Sequence, residues 1–294
     1  MLKRGEITTQ QIVIIIILIV SFAVLLFFIF RLELGKVTEE EICRNSVVTR
    51  GSSILPSESI PLNCHRNYVC VTEDESCEQM TNPEIKKIKN KEEIYNVLAE
   101  EMTDCWWMFG EGKINYVGED FVSDLYCSIC SQIAFDDSIE KKIGAGEFDK
   151  KEFYNYLANE KIPGKDITYF EYLYKGKVGI APGAKFEKIN LKSQYYAMMG
   201  IKSHVSGRGW IAGGASAGIL AVGAAAGIFL TAPLSVPAIT AVIVVGGTAG
   251  GVAGNYVATI VEGSSGNEYL SPSIIEVNSE EFRALECYDI TTLA

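Results

Sequence analysis

The chain has 294 residues, enough for one or two domains, and 21% of them are charged. Its net charge of −11 is spread thinly along the chain, which argues against nucleic acid as a partner, because such a partner requires a basic face that displaces counterions. Mean hydropathy is +0.16, high for so many charges, and the excess apolar residues fall in two blocks.

The first block runs from Ile12 to Phe30 and is apolar throughout except at Ser21. At about 1.5 Å per residue it reaches about 30 Å, the thickness of a bilayer core. Lys3 and Arg4 precede it and Arg31 closes it. Positive charge before the helix keeps that end in the cytoplasm and sends the chain after Arg31 outside. A cleaved secretory signal would have a shorter core and small residues at its end. Here Phe27, Phe28, Phe30, Arg31 and Leu32 follow instead, so a retained anchor is expected.

The residues before this block, Lys3-Arg4-Gly5-Glu6-Ile7-Thr8-Thr9-Gln10-Gln11, resemble the class III, prepilin-like signal anchor of archaeal surface proteins. The resemblance implies cleavage between Gly5 and Glu6 by a prepilin-type peptidase, with the apolar helix kept. Glu6 stands where that family usually has Gln, and Gln10 where it usually has Glu. Residues 1–11 are then a cytoplasmic leader and 12–30 a transmembrane anchor. A pilin-like filament subunit is one function this implies.

Residues 31–208 read as a cysteine-containing outer domain of α+β class. Thr38 to Asn45 either continues the anchor helix or begins a short one. The chain has eight cysteines: Cys43, Cys64, Cys70, Cys77, Cys105, Cys127, Cys130 and Cys287. An even number on the oxidising side of a membrane reads as disulfides, with the pairing left open. Cys127-Ser128-Ile129-Cys130 also admits a zinc or thioredoxin-like reading, but no second C-x₂-C accompanies it and the histidines are only His65 and His204. The alternation of Cys127, Ile129, Ile133 and Phe135 suggests a strand.

Lys86, Lys87, Lys89 and Lys91 form the one local basic cluster, and Glu84, Glu92 and Glu93 flank it, so it reads as a solvated surface. Asn82-Pro83 is an expected helix start. Lys91 to Phe109 carries Ile94, Leu98, Met102, Cys105 and Phe109 at helical spacing, stopped by Gly110 and Gly112. Trp106 and Trp107 end that helix, one expected in the core and the other at its rim. Asp149 and Glu152 suggest a capping box for a helix over 150–160, with Phe148 and Phe153 as a hydrophobic staple. Tyr169 to Tyr174 and Lys177 to Ile180 suggest short strands.

The second apolar block, 209–261, contains no charged residue. Two stretches, about 211–232 and 238–261, flank Pro233 and Pro237, and the prolines suggest helix, turn, helix. Gly214/Gly218, Gly223/Gly227, Gly247/Gly251 and Gly250/Gly254 recur four apart. At helical spacing they form flat faces for packing within lipid. The expectation is a Gly/Ala-rich transmembrane helical hairpin that packs within the chain or makes a homo-oligomer, and a pore-forming role is the alternative. Residues 262–294 return to ordinary composition and bring Cys287 to the outer domain. The run Asp104 to Lys113 with the Cys127–Cys130 pair resembles uncharacterised membrane-anchored proteins of small-genome archaea, which implies no activity.

Candidate chemistry is sparse. Asp136-Asp137 and Asp120/Asp124 are unspecific carboxylate pairs, and no nucleophile, phosphate-loop or metal motif is present. No catalysis, cofactor or metal is expected. The partners expected are membrane lipid and a second copy, and the function is that of a structural or interaction protein of the cell envelope.

Overall fold

A computed structural model describes residues 9–31, 38–53, 55, 59–118, 125–174, 178–180, 188–202, 228–230, 241–246, 255–262 and 267–293. The chain divides into two compact units, residues 1–38 and 39–294. In the first, helix α1 (Thr9–Arg31) is the one helix among the described residues long and apolar enough to cross a membrane. Its apolar side chains from Ile12 to Phe27 are exposed along the whole length. A helix that is apolar on every side has the composition of a membrane span or signal sequence.

The second unit is α+β. It begins with helix α2 (Glu39–Ser52), whose first turn holds Glu39, Glu40 and Glu41. Strands β1 (Asn67–Thr72) and β2 (Glu84–Lys87) pair in parallel. The expected helix start at Asn82-Pro83 is therefore corrected to a turn leading into β2. Asn82 has a φ of 49°, a left-handed conformation that Asn tolerates and a helix entry cannot use.

Helix α3 (Lys91–Met108) starts instead at Asn90, whose side chain accepts a hydrogen bond from the Glu93 N–H at 3.0 Å. Glu93 reaches back to the Lys89 N–H at 2.7 Å. The helix ends where Gly110 and Gly112 turn left-handed. Ile94, Leu98, Met102, Cys105 and Phe109 are all buried, as their spacing requires. Trp106 lies in the core and Trp107 at its edge.

An inner strand of the sheet, β3 (Leu125–Phe135), is nearly all buried. It pairs in parallel with β1 and antiparallel with β7 (Tyr195–Lys202). Beyond β7 lie β11 (Glu268–Glu276), β10 (Asn255–Glu262) and β9 (Ala241–Gly246), all antiparallel, giving the order β2-β1-β3-β7-β11-β10-β9. A short strand, β12 (Asp289–Ile290), pairs in parallel with β3 at Tyr126 and Cys127.

Both β3 and β11 shift register against β7, between Ile129 and Ser131 and between Leu270 and Ser273. Each shift swaps which residues face the main core. Tyr126 and Cys130 point to the α3 side, as do Ile133 and Phe135 after the shift, whereas Leu125, Cys127 and Ile129 point to the opposite face. The bulge in β11 also admits Pro272 within an inner strand.

The α3 face carries α5 (Lys150–Asn159) and α6 (Tyr169–Tyr174) in the same core. The opposite face is smaller and is covered by α7 (Glu280–Ala284) through Phe282 and Leu285. Helix α4 (Asp137–Ile143) follows β3 and stops at Gly144 in the left-handed region. Two small sheets complete the described structure: β4 (Glu147–Asp149) with β6 (Lys188–Asn190), and β5 (Val178–Ile180) with β8 (Ile228–Leu230).

Asp149 caps α5, accepting from the Lys151 N–H at 2.8 Å. The expected return bond from Glu152 is replaced by a bond from the Tyr95 hydroxyl at 2.8 Å and an ion pair with Lys91. Phe148 and Phe153 both pack on the Tyr95 ring, at 5.3 and 6.0 Å. Tyr169 to Tyr174 is a helix and not the expected strand. Thr168 and Glu171 exchange bonds: the Glu171 N–H donates to Thr168 Oγ1 at 3.1 Å, and the Thr168 N–H donates to Glu171 Oε2 at 3.0 Å. That reciprocal pair is a capping box, and it fixes helix over a segment whose aromatic content alone suits a strand.

Most of the expected helical hairpin over 209–261 lies outside the described residues; the parts that are described are extended and not helical. Residues 228–230, 241–246 and 255–262 are strands. Val242-Ile243-Val244-Val245 and Val257-Ala258-Thr259-Ile260-Val261 are rich in β-branched residues, which lose rotamer freedom in a helix and fit a pleated surface. β10 pairs with β11 at Ile260 and Leu270, so this part joins the main sheet. Gly214, Gly218, Gly223, Gly227, Gly247, Gly250, Gly251 and Gly254 lie outside the described residues, as do Gly5 and Glu6.

Candidate functional site

All eight cysteines are paired. Cys43 on α2 bonds Cys64, Cys70 on β1 bonds Cys77, Cys105 on α3 bonds Cys130, and Cys127 bonds Cys287. Their Cα separations are 4.3, 6.3, 5.4 and 5.7 Å in that order, the range a disulfide spans. Cys127 and Cys130 do not bond each other, because the strand turns them to opposite faces. With each sulfur committed to a distant partner, neither a zinc pair nor a C-x-x-C redox couple is formed there.

The Cys127–Cys287 bond holds a segment that we term the strap, residues 287–293. Its backbone continues the sheet: the Tyr288 N–H donates to Leu125 O at 2.8 Å and the Thr291 N–H to Cys127 O at 2.9 Å. Farther on, the Leu293 N–H donates to Cys64 O, and the Arg66 N–H donates to Leu293 O, both at 2.8 Å. Thr292 Oγ1 accepts from the Ile129 N–H at 3.2 Å. Ser128 Oγ lies 2.7 Å from Thr291 Oγ1 and 3.1 Å from the buried Tyr116 hydroxyl. The strap thus fills the edge of β3 that β1 leaves open. His65 bridges to Leu293 here through its backbone. His204, Asp120 and Asp124 lie outside the described residues.

Two groups of buried ionisable side chains belong to no motif singled out from the sequence. The first centres on Glu101 of α3, which is 7% exposed. Burial pushes its carboxyl up to about 7, with Asp104 and Glu84 adding to the rise; the Ser131 hydroxyl and the Lys86 ammonium oppose it without cancelling it. Asp104, one turn on and open to solvent on one side, is pushed up to about 6 by desolvation and by Glu40 and Glu100. Partial burial disfavours the Lys86 ammonium, but the Glu84 hydrogen bond at 2.6 Å and the surrounding carboxylates raise its pKa overall. This group can take up and release a proton near neutrality. Ser131 is too deeply buried to meet a substrate. Ile94, Leu98, Glu101 and Cys105 are spaced 4, 3 and 4 apart, so the sequence already places Glu101 on the core stripe.

The second group joins α5, α6, α7 and β11. Lys150 Nζ lies 3.6 Å from Glu281 Oε1, with both side chains largely buried. Burial raises the Tyr154 and Tyr174 hydroxyls beside them. The Tyr174 hydroxyl donates to Pro272 O at 3.2 Å, at the β11 bulge. A buried pair of this kind orients helices against one another and is costly to break on one side only.

The remaining candidates are structural. Asp136 caps α4, accepting from the Ser138 N–H and the Ser76 hydroxyl at 2.9 Å, so Asp136-Asp137 is not an acid–base pair. Trp107 has Arg44 over its ring at 4.4 Å, so it offers no open platform. In the basic cluster, Lys86, Lys87 and Lys91 pair with Glu84, Glu75 and Glu152, as a solvated surface should. Compared with protein-family models, curated proteins and solved structures, the chain gives no match.

Proposed function

We propose that this protein is a membrane-anchored structural or interaction component of the cell envelope, with its body on the extracytoplasmic side. The observation that carries this reading is the pairing of all eight cysteines in the unit that follows one exposed apolar helix. Disulfides persist on the oxidising side of a membrane and are reduced in the cytosol. Lys3 and Arg4 before the helix favour the same orientation. The likeness of residues 3–11 to a prepilin-like leader supports an archaeal envelope. The buried groups at Glu101 and Lys150 tie helices to the sheet and organise the fold.

The test is thiol labelling of intact cells with a membrane-impermeant maleimide polymer. The expected result is no shift without reductant and a shift of many thiols after reduction, with the cells still sealed. Labelling that needs lysis but no reductant would place the body in the cytoplasm and overturn the reading.

A further inference from the structure

The strap is held almost entirely by contacts that do not depend on which chain supplies it. Four of its bonds join backbone to backbone, at Leu125, Cys127, Cys64 and Arg66, and one is the Cys127–Cys287 disulfide. Its apolar side chains contribute little burial: Tyr288 is 64% exposed and Leu293 52%. An identical strap from a second copy would make the same bonds at the same cost. If the strap leaves, the edge of β3 from Leu125 to Ile129 is left with unpaired backbone groups, and such an edge recruits another strand.

The hinge is also defined. Leu285 is buried on the α7 side of the sheet, so α7 stays with its own copy. The next residue, Glu286, has a φ of 48°, a left-handed conformation that a residue with a Cβ adopts only under constraint. An extended Glu286 relieves that constraint and directs the strap away from its own body. Strained, short hinges favour exchange of a segment between copies.

We propose that residues 287–293 are exchanged between two copies of this chain, so that Cys287 of one copy bonds Cys127 of the other and the two bodies are covalently joined. Each bond forms from one Cys127 thiol and one Cys287 thiol, which give two electrons and two protons to the disulfide-type oxidant that forms the other pairs. That balance is the same whichever chain supplies Cys287. The proposal goes beyond the envelope reading and rests on it in one respect, since a bond between Cys127 and Cys287 persists only on the oxidising side of the membrane.

The test uses full-length C127S and C287S chains carrying different epitope tags, expressed together, alkylated and solubilised in mild detergent. The expected result is a reductant-sensitive heterodimer, recovered through either tag, whose linked peptides join Cys127 of one chain to Cys287 of the other. Each variant expressed alone stays at monomer mass. Monomers alone, with both thiols alkylated, would overturn the proposal, as would equal dimer yield from either variant alone. If the variants do not accumulate, the natural chain decides. Light- and heavy-isotope chains are mixed one to one, reduced, and reoxidised together with oxidised glutathione. Exchange gives about half of the Cys127–Cys287 linkages as mixed-isotope peptides, by random pairing of equal pools. Single-isotope peptides only would show that the strap stays at home.

Discussion

Cys127 and Cys130 sit three residues apart on β3 and are bonded in opposite directions, Cys127 to the strap and Cys130 to helix α3. This inner strand is thereby covalently fixed to a different element on each face. The two bonds close loops of very different size, and loop size sets how much unfolded-chain entropy each removes.

Removing the Cys127–Cys287 pair should therefore cost most. Its separation of 160 residues corresponds to about 5 kcal/mol in the chain-entropy picture, against about 2 kcal/mol for the 7-residue separation of Cys70 and Cys77. Denaturant midpoints of the two Cys→Ala double variants, measured in one detergent, check the order. A larger loss for the Cys70–Cys77 variant would show that strain or packing, and not loop size, governs these staples.

Glu101 should make stability fall as pH rises. Its folded carboxyl is raised from 4.5 to about 7, so the folded chain holds a proton that the unfolded chain has released. The stabilisation is fully present below the unfolded value and is lost as pH climbs through the folded one. Glu101→Gln removes this dependence. At pH 8 the variant should be more stable than the natural chain by roughly 1–3 kcal/mol, with little difference at pH 4. Thermal melts at both pH values test this, and a constant difference would show that the carboxyl does not titrate in this window.

Thr168→Ala should melt α6 at its start. It removes the Oγ1 acceptor of the Glu171 N–H and should cost about 1 kcal/mol. Hydrogen exchange should quicken at residues 169–174, and Thr168→Ser should restore most of the protection. Unchanged exchange in the Ala variant would mean that tertiary packing alone holds this helix.

Gly110→Ala should be worse than Gly144→Ala. Both glycines are left-handed, at φ 80° and 70°, but a Cβ at Gly110 would lie 2.6 Å from Ile114 Cδ1, while one at Gly144 meets nothing within 4 Å. Gly144→Ala should cost about 1 kcal/mol from backbone strain alone. Gly110→Ala adds a clash and should lower the melting temperature further, and equal losses would show that Ile114 moves aside freely.

The sequence was legible where one local signal governed. Ile94 to Phe109 follow helical spacing, and the adjacent Asn90 and Gly110 punctuate both ends. The alternation from Cys127 to Phe135 reveals a strand, although the bulge at Cys130 that turns Ser131 toward α3 has no signature in the spacing. Tyr169 to Tyr174 is misread because aromatic residues suit strands, while the deciding pair, Thr168 and Glu171, lies at the segment's edge and in its polar background. Residues 242–245 and 257–261 are misread for the opposite reason. Glycine spacing suggests a helix there, but the β-branched stretches 242–245 and 257–261 suit strands, the first pairing with β10 and the end of the second with β11. Disulfide partners were beyond reach, since Cys127 finds Cys287 only once the sheet has brought them together. Glu101 was visible as an acidic residue on an apolar stripe; what the spacing could not supply was how completely β3 would close over it.

The position of the strap sets an order of events in time. Cys127 leaves the ribosome 160 residues ahead of its partner, an interval of roughly 10–30 s at ordinary rates of synthesis. During that interval six other cysteines that precede Cys287 have already emerged or are emerging, and Cys127 must either remain reduced or pass through temporary pairings with them. The body therefore cannot mature segment by segment as it is made. The edge of β3 stays incomplete until residues 287–293 arrive, so a cell that makes this protein needs a means either of keeping Cys127 reduced or of reshuffling early bonds.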